Sequence, residues 1–134
     1  MKFDAMLGSM YPHQAASLAK RMEDIGFDAV WSFEAGHDPF LPLAVAAMST
    51  EQIHLGTNIA VAFGRSPFAT AQAAWDLQRS SNGRFHLGLG TQVRAHVERR
   101  YDMPFEHPAA RLTDYIRCLH AIFDNFQNGS KPDY

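Results

Sequence analysis

The sequence predicts an α/β fold in which four parallel strands alternate with four helices. Short apolar segments start near residues 3, 27, 53 and 85, and an amphipathic helical pattern follows each of them. This cadence is typical of repeated right-handed βαβ units, either in a doubly wound sheet or in part of a (β/α)₈ barrel. A complete barrel needs eight such units and about 250 residues. With 134 residues, the chain is expected to be one incomplete domain, residues 1–134, from the N-terminal half of a longer protein.

Composition narrows the class of protein further. Hydrophobic residues make up 46% of the chain, with ten Phe among them, which excludes a disordered chain. The formal net charge is −2 and both signs are mixed along the chain, so neither a nucleic-acid nor a membrane partner is predicted. Cys118 is the only cysteine, which fits a reducing compartment. We therefore expect a soluble, cytoplasmic protein.

The first half of the chain has clear boundaries between its elements. Phe3–Gly8 is predicted to be the first strand, and a helix is predicted from His13 to Gly26, where a C-terminal glycine belongs. Phe27–Phe33 is the second predicted strand. Asp38 followed by Pro39 is a strong start signal for the second helix. The buried stripes are expected to contain Ala15, Leu18, Ala19, Met22 and Ile25 in the first helix, and Phe40, Leu43, Ala44 and Ala47 in the second.

The second half repeats the pattern with a longer final connection. The third strand is predicted at Ile53–Ala60, the fourth at Arg84–Thr91, and the segment Gln92–Pro108 as a loop. The third helix starts at Ser66-Pro67. The expected buried stripes are Phe68, Ala71, Gln72 and Trp75 in the third helix, and Leu112, Tyr115, Ile116, Leu119, Phe123 and Phe126 in the fourth.

The glycines of the fourth strand admit two interpretations. Gly88 and Gly90 resemble part of a dinucleotide-binding fingerprint, but the third glycine is replaced by Val93 and no helix starts at once. The first strand is also followed by no such fingerprint, which argues against a nicotinamide-binding domain. The favoured interpretation is a barrel strand whose small residues let a ligand ring or a backbone come close.

Several short motifs, taken in order, carry a family resemblance over essentially the whole chain. They are Gly26-Phe27-Asp28-Ala29-Val30-Trp31, Leu55-Gly56-Thr57, Arg65-Ser66-Pro67, Ser81 to Gly90 and Met103-Pro104-Phe105. In this order and at these intervals the sequence resembles the luciferase-like monooxygenase family, which includes bacterial luciferase and oxidoreductases that use coenzyme F420.

The resemblance implies the N-terminal half of a TIM (β/α)₈ barrel, with parallel strands in the order 1-2-3-4. It implies a flavin or deazaflavin cofactor, FMN or coenzyme F420, whose ring lies over the C-terminal ends of the strands. Hydride transfer or oxygen activation on a small organic substrate would follow. The resemblance also implies a non-proline cis peptide at Asn58–Ile59 or at Thr57–Asn58.

In a barrel, the active site lies at the C-terminal ends of the strands, which selects the candidate residues. Glu34 and His37 follow strand two and are the predicted catalytic residues. The predicted cofactor-binding residues are Thr57, Asn58, Ile59, Thr91 and Gln92. Arg94 and His96 are predicted to meet a phosphate or an anionic substrate. Apolar lining is expected from Met6, Phe33, Phe63 and Phe85.

Two expectations concern what the chain lacks. No metal site is predicted, because His37 and Asp38 have no further ligand at suitable spacing, and His54 and His86 are expected to be packed or outward-facing strand residues. A four-stranded part of a barrel has two unpaired edges, which favours self-association. The alternative to an enzyme is therefore a catalytically silent half-barrel that needs the missing half or a partner chain.

Overall fold

The structure is a computed structural model that describes residues 1–132. The elements, in chain order, are β1 (Asp4–Gly8), α1 (Pro12–Ile25), β2 (Ala29–Ser32), α2 (Leu41–Ser49), β3 (His54–Thr57), β4 (Ala60–Val61), a 3₁₀ turn (Ala62–Gly64), α3 (Pro67–Ser80), β5 (Phe85–His86), β6 (Leu89–Gly90), α4 (Arg94–Tyr101) and α5 (Pro108–Asn128). The chain forms two compact units. The first contains Met1–Ala60 and Asp76–Leu89, and the second contains Val61–Trp75 and the described residues from Gly90 to Pro132.

The first unit is built on a four-stranded parallel sheet in the order β1-β2-β3-β5. Because β5 is the start of the fourth predicted strand, the predicted strand order 1-2-3-4 is confirmed. Val30, Leu55 and Phe85 share one register row and are buried on one face of the sheet. Helices α1 and α2 pack against each other, α1 against β1 and α2 against β3. We call the opposite face, which carries Asp4, Met6, Trp31, His54 and His86, the open face of the sheet.

The strands end earlier than the sequence suggested. The predicted third strand stops at Thr57, and the predicted fourth strand is split into β5 and β6. The break in the fourth strand has a local cause, since the Gly88 carbonyl accepts hydrogen bonds from the Thr57 hydroxyl and from the Ala60 N–H. These bonds replace the regular ladder at that point, so one long strand was the wrong prediction.

The helix predictions need corrections of two kinds. The predicted loop Gln92–Pro108 contains α4, which the sequence pattern missed because Val97 is its only buried residue and its apolar periodicity is weak. The other errors concern individual stripe positions. Ile25 ends α1 just before the left-handed Gly26 and is 63% exposed. Phe68, Gln72 and Ile116 are also exposed, whereas Thr70 and Ile122, which were not predicted, are buried.

The start of β3 is fixed by the Glu23 carboxylate of α1. One carboxylate oxygen accepts the backbone N–H groups of Glu51, Gln52 and Ile53 at 3.0, 2.7 and 2.9 Å. Burial raises the pKa of Glu23, but the three backbone donors and Lys20 outweigh it and hold that pKa at about 2. The ionised carboxylate therefore stabilises the connection between α2 and β3.

The first prediction concerns the acid stability that this carboxylate confers. Because the folded pKa of Glu23 lies below its ordinary value of 4.5, its contribution is complete above pH 4.5 and is lost as the pH falls toward 2. We expect the free energy of unfolding, measured with urea, to fall by about 3 kcal/mol more in the wild type than in E23Q between pH 6 and pH 2. The neighbouring exposed Asp24 provides the control D24N. Equal pH dependence in wild type and E23Q would contradict this role for Glu23.

The second unit has its own core around α5. The Tyr115 hydroxyl lies 2.5 Å from the Thr70 hydroxyl and 3.2 Å from the carbonyl oxygens of Arg65 and Ser66. The Arg111 guanidinium stacks over a buried phenylalanine ring, Phe63, at 4.2 Å. Within residues 1–132, no helix has the length and apolar character that crossing a bilayer requires.

Candidate active site

Two predicted residues of the site are joined directly at the C-terminal ends of β2 and β3. The Glu34 N–H donates to the Ile59 carbonyl at 3.1 Å, and the Asn58 N–H donates to the Ser32 carbonyl at 2.6 Å. These bonds continue the strand pairing beyond the last regular residues. Glu34 is only 9% exposed, so the loop that follows β2 shields most of this residue from solvent.

The backbone at the tip of β3 changes direction between Asn58 and Ile59. This peptide bond is cis, which confirms one of the two positions implied by the resemblance. Asn58 is exposed and Ile59 is half-buried, so the Asn58 amide is accessible from solvent.

Thr57, the last residue of β3, is hydrogen-bonded to the backbone of Gly88. Its hydroxyl donates to the Gly88 carbonyl at 2.7 Å and accepts the Gly88 N–H at 2.9 Å. Its side chain is fully buried. A Cβ atom at Gly88 would lie 2.0 Å from the Thr57 carbonyl oxygen. Only a residue without a side chain therefore lets the Thr57 backbone come so close to position 88. The Thr57 hydroxyl is therefore bonded to the Gly88 backbone, and its predicted role toward a cofactor stays a prediction.

His37 is held by residues that follow β1. Its N–H donates to the Ser9 hydroxyl at 3.2 Å, and its ring lies 4.4 Å from the Tyr11 ring, measured between centroids. Neither Ser9 nor Tyr11 is among the site residues predicted from the sequence. Their position after the C-terminal end of a strand was the signal that could have found them.

Asp38 serves as a helix cap, as the sequence indicated. Its carboxylate accepts the N–H groups of Phe40 and Leu41 at 2.8 and 3.0 Å, ahead of α2.

The expected apolar lining is only half present. Met6 and Phe33 are 48% and 38% exposed, and both are therefore available to a ligand. Phe63 and Phe85 are buried in the cores of their units, so the prediction that they line a site was wrong. Phe85 shares a register row with Leu55, and that row faces the helices rather than the open face.

In the second unit, Thr91 and Gln92 form a local turn. The Thr91 hydroxyl donates to the Gln92 carbonyl at 3.0 Å, and the Gln92 side-chain oxygen accepts the Val93 N–H at 3.0 Å. Gln92 has a positive φ of 61°. Their predicted role toward a cofactor stays a prediction.

Arg94 and His96 lie in the first turn of α4. Arg94 pairs with Glu98 at 2.8 Å and lies over the Phe105 ring at 5.2 Å. The Nδ1 atom of His96 is buried and has no hydrogen-bond partner among the described residues. Arg94 is thus already neutralised in part, while His96 retains one ring nitrogen for a further contact.

The described residues contain no group of three His, Cys, Asp or Glu side chains that could hold a metal ion. His54 and His86 are exposed on the open face of the sheet, with His54 Nδ1 2.8 Å from His86 Nε2.

Comparison with known proteins decides the family. The profile of the luciferase-like monooxygenase family matches residues 1–134, the whole chain. The chain belongs to the luciferase-like monooxygenase family. The resemblance predicted from the sequence motifs is therefore confirmed.

Three relatives show the extent of the similarity, and two of them carry an activity in their names. The chain is 38% identical over 117 residues to a putative coenzyme F420-dependent oxidoreductase of Mycobacterium tuberculosis, which covers 87% of this chain and 34% of the relative. It is 39% identical over 109 residues to 5,10-methylenetetrahydromethanopterin reductase of Methanolobus tindarius, and this match covers 80% of this chain and 33% of the relative. An uncharacterized protein of Mycobacterium tuberculosis is 52% identical over 118 residues, with 88% and 35% covered. The chain thus spans about a third of the length of these relatives.

Solved luciferase-like structures share the fold. The coenzyme F420-dependent tetrahydromethanopterin reductase of Methanopyrus kandleri superposes with a TM-score of 0.81 at 24% identity, covering 99% of this chain and 42% of that one. The oxygenating constituent of 3,6-diketocamphane monooxygenase from Pseudomonas putida, in complex with FMN, gives a TM-score of 0.82 at 16% identity, with 93% and 41% covered. Together with the parallel strand order, these matches confirm the predicted fold class, the N-terminal half of a TIM barrel.

Proposed function

We propose that this chain contributes the N-terminal half of a coenzyme F420-dependent oxidoreductase that transfers hydride to or from a small organic substrate. The observation that carries the proposal is the tip of β3, where an exposed Asn58 stands beside a protected Glu34 joined to Ile59. Among the relatives with named activities, one at 38% identity and one at 36% are described as F420-dependent. These relatives favour the deazaflavin over FMN, which is bound by a structural neighbour of only 16% identity.

The residues of the first unit fit a planar ring with polar edges. Met6 and Phe33 offer exposed apolar surface, and the ideal Cβ position of Gly8 lies 3.9 Å from the Phe33 ring. Asn58 offers an amide that can donate and accept hydrogen bonds. Thr57 and Ile59 would then shape the tip, with Thr57 acting through its bonds to Gly88.

When bound, the deazaflavin supplies the hydride chemistry, and the protein supplies orientation and proton transfer. Glu34 would accept the proton that a substrate loses together with a hydride, or return it in the reverse direction. His37, held by Ser9 and Tyr11, would bind the polar part of the substrate.

A fluorescence titration with coenzyme F420 and with FMN tests the cofactor. We expect F420 to bind more tightly than FMN, and N58A to weaken F420 binding about tenfold, the effect of losing one or two neutral hydrogen bonds. N128A, which removes an exposed side-chain amide at the end of α5, serves as the matched control. Tighter binding of FMN would replace hydride transfer by oxygen activation as the proposed reaction.

Replacing Glu34 by Gln tests the proton-transfer role. In protein that turns over substrate, E34Q should lower kcat by about 10²–10⁴-fold, the usual range for general acid–base catalysis, while F420 affinity changes little. The exposed Glu106 provides the control E106Q, which should leave kcat unchanged. An unchanged kcat in E34Q would remove Glu34 from the mechanism.

A second candidate is a half-barrel that is catalytically silent without another half or a partner chain. The exposed open face of the sheet favours it, because Met6 on that face, together with Phe33 just after β2, would be uncovered apolar surface in an isolated half. Sedimentation analysis of the 134-residue protein would show self-association. Failure of both FMN and F420 to bind would support this candidate over the enzyme.

A further inference from the structure

The open face of the sheet carries a histidine pair that neither the family nor the proposed reaction explains. His54 lies at the start of β3 and His86 at the end of β5, and both side chains are exposed. His54 Nδ1 and His86 Nε2 are 2.8 Å apart, a hydrogen-bond distance. Two imidazole nitrogens can approach so closely only when one is protonated and the other offers its lone pair.

The ring geometry favours a shared proton over a stacking contact. The ring centroids are 5.0 Å apart, although the facing nitrogens are only 2.8 Å apart. The difference is close to the sum of the two ring radii, so the rings meet nearly end to end. A metal ion held by both nitrogens would need the rings bent toward each other, and no third ligand group stands with them among the described residues.

The neighbouring charges are few and of mixed sign. Lys2, Asp4 and Asp28 line the same groove of about 210 Å³, with the Trp31 ring beside them. Asp4 already accepts the Trp31 indole N–H at 3.0 Å. Partial burial, then His54 and Lys2, lower the pKa of His86, while Asp4 opposes them. The surroundings therefore resist a second proton on the pair.

We propose that His54 and His86 form a proton-sharing pair that holds β5 against β3 and opens when both rings become protonated. The pairing of β3 with β5 involves only Leu55 with Phe85 and Gly56 with His86. The hydrogen bond between the two imidazole rings therefore connects the same two strands that this short pairing joins. With two protons, two imidazoliums would face each other without an acceptor, and the rings would separate. The pair makes this edge of the sheet sensitive to acid.

The direction of the effect follows from proton linkage. The closed pair resists the second proton, so the open state binds more protons at acid pH. Stability from the pair is therefore present above the ordinary histidine pKa of 6.5 and is lost as the pH falls below it. One additional proton bound on opening makes the opening equilibrium rise by at most about tenfold per pH unit.

Histidine-selective ¹H–¹⁵N NMR of the protein between pH 8 and 5 tests the pair. We expect His86 to titrate at lower pH in the wild type than in H54Q, where its partner cannot charge. The protection factor of the Leu55 amide, which donates to the Arg84 carbonyl in this ladder, should fall more steeply with acid in the wild type than in H54Q. H120Q, an exposed histidine on α5, should match the wild type in both measurements.

Two results would overturn the proposal. One is an identical His86 titration in the wild type and H54Q, and the other is a Leu55 protection factor with no acid dependence in the wild type. If H54Q does not fold, the wild type alone decides, since a shared proton gives one strongly downfield ring N–H signal above pH 7. Two ordinary, independently exchanging imidazole signals there would contradict the pair.

Discussion

Replacing Arg84 by Met is expected to lower the free energy of unfolding by about 4 kcal/mol, a large part of the total stability of a small domain. The buried Arg84 guanidinium donates to the carbonyl oxygens of Ser81, Ile53, Ala47 and Thr50 at 2.7, 2.7, 3.0 and 3.0 Å. It also donates to the Thr50 hydroxyl at 2.9 Å. The methionine would leave these buried acceptors without a donor.

The position of Arg84 explains why this single side chain matters so much. Ala47 lies in the last turn of α2 and Thr50 follows its end, so their carbonyls are among those that a helix cannot satisfy internally. A cation at this C-terminal end of the helix also interacts favourably with the negative end of the helix dipole. Burial lowers the pKa of Arg84, and the nearby carboxylates of Glu23 and Glu51 counteract that effect.

Urea denaturation of three variants tests the role of Arg84. R84M should lose about 4 kcal/mol, and R84K roughly half as much, because a lysine keeps the charge but has fewer donors in a different geometry. R79M, at an exposed arginine in the last turn of α3, should change stability by less than about 1 kcal/mol. A loss below 1 kcal/mol in R84M would show that water satisfies the acceptors equally well.

The second large effect is expected at Gly88, where an alanine should cost about 3 kcal/mol. The new Cβ would lie 2.0 Å from the Thr57 carbonyl oxygen, which is backbone and cannot rotate away. Separation of the two segments would break both bonds of the Thr57 hydroxyl and the bond from the Ala60 N–H. Because Asn58 directly follows Thr57 in the chain, we expect under the proposed function that F420 affinity falls together with stability.

The control for this variant is G36A. A Cβ atom at Gly36 meets nothing within 4 Å, and its φ lies outside the left-handed range, so alanine should be neutral or slightly stabilising. Thermal unfolding and the F420 titration, measured on both variants, separate the two effects. A stable G88A protein with undiminished F420 affinity would mean that the tip of β3 does not need this close backbone contact.

The sequence predicted the parts of the fold that depend on local pattern. Apolar runs placed the strands, Gly26 ended α1 in a left-handed conformation, and Asp38 was recognised as a cap. Helix α4 was missed because one buried valine, Val97, does not produce a periodic pattern. The sequence also named Glu34 and Asn58, since the topology places every strand end of a barrel on one rim.

By itself, then, the sequence determined the α/β class, because periodicity and caps are properties of neighbouring residues. Its motifs carried the family resemblance, and that resemblance implied the strand order. Only the tertiary structure decided that Arg84 closes α2, that Gly88 admits the Thr57 backbone and that His54 meets His86. Each of these contacts joins residues more than thirty positions apart along the chain, as with His54 and His86 at a separation of 32. Hydrogen bonding and steric fit at such separations depend on the packing of whole elements, which no local pattern encodes.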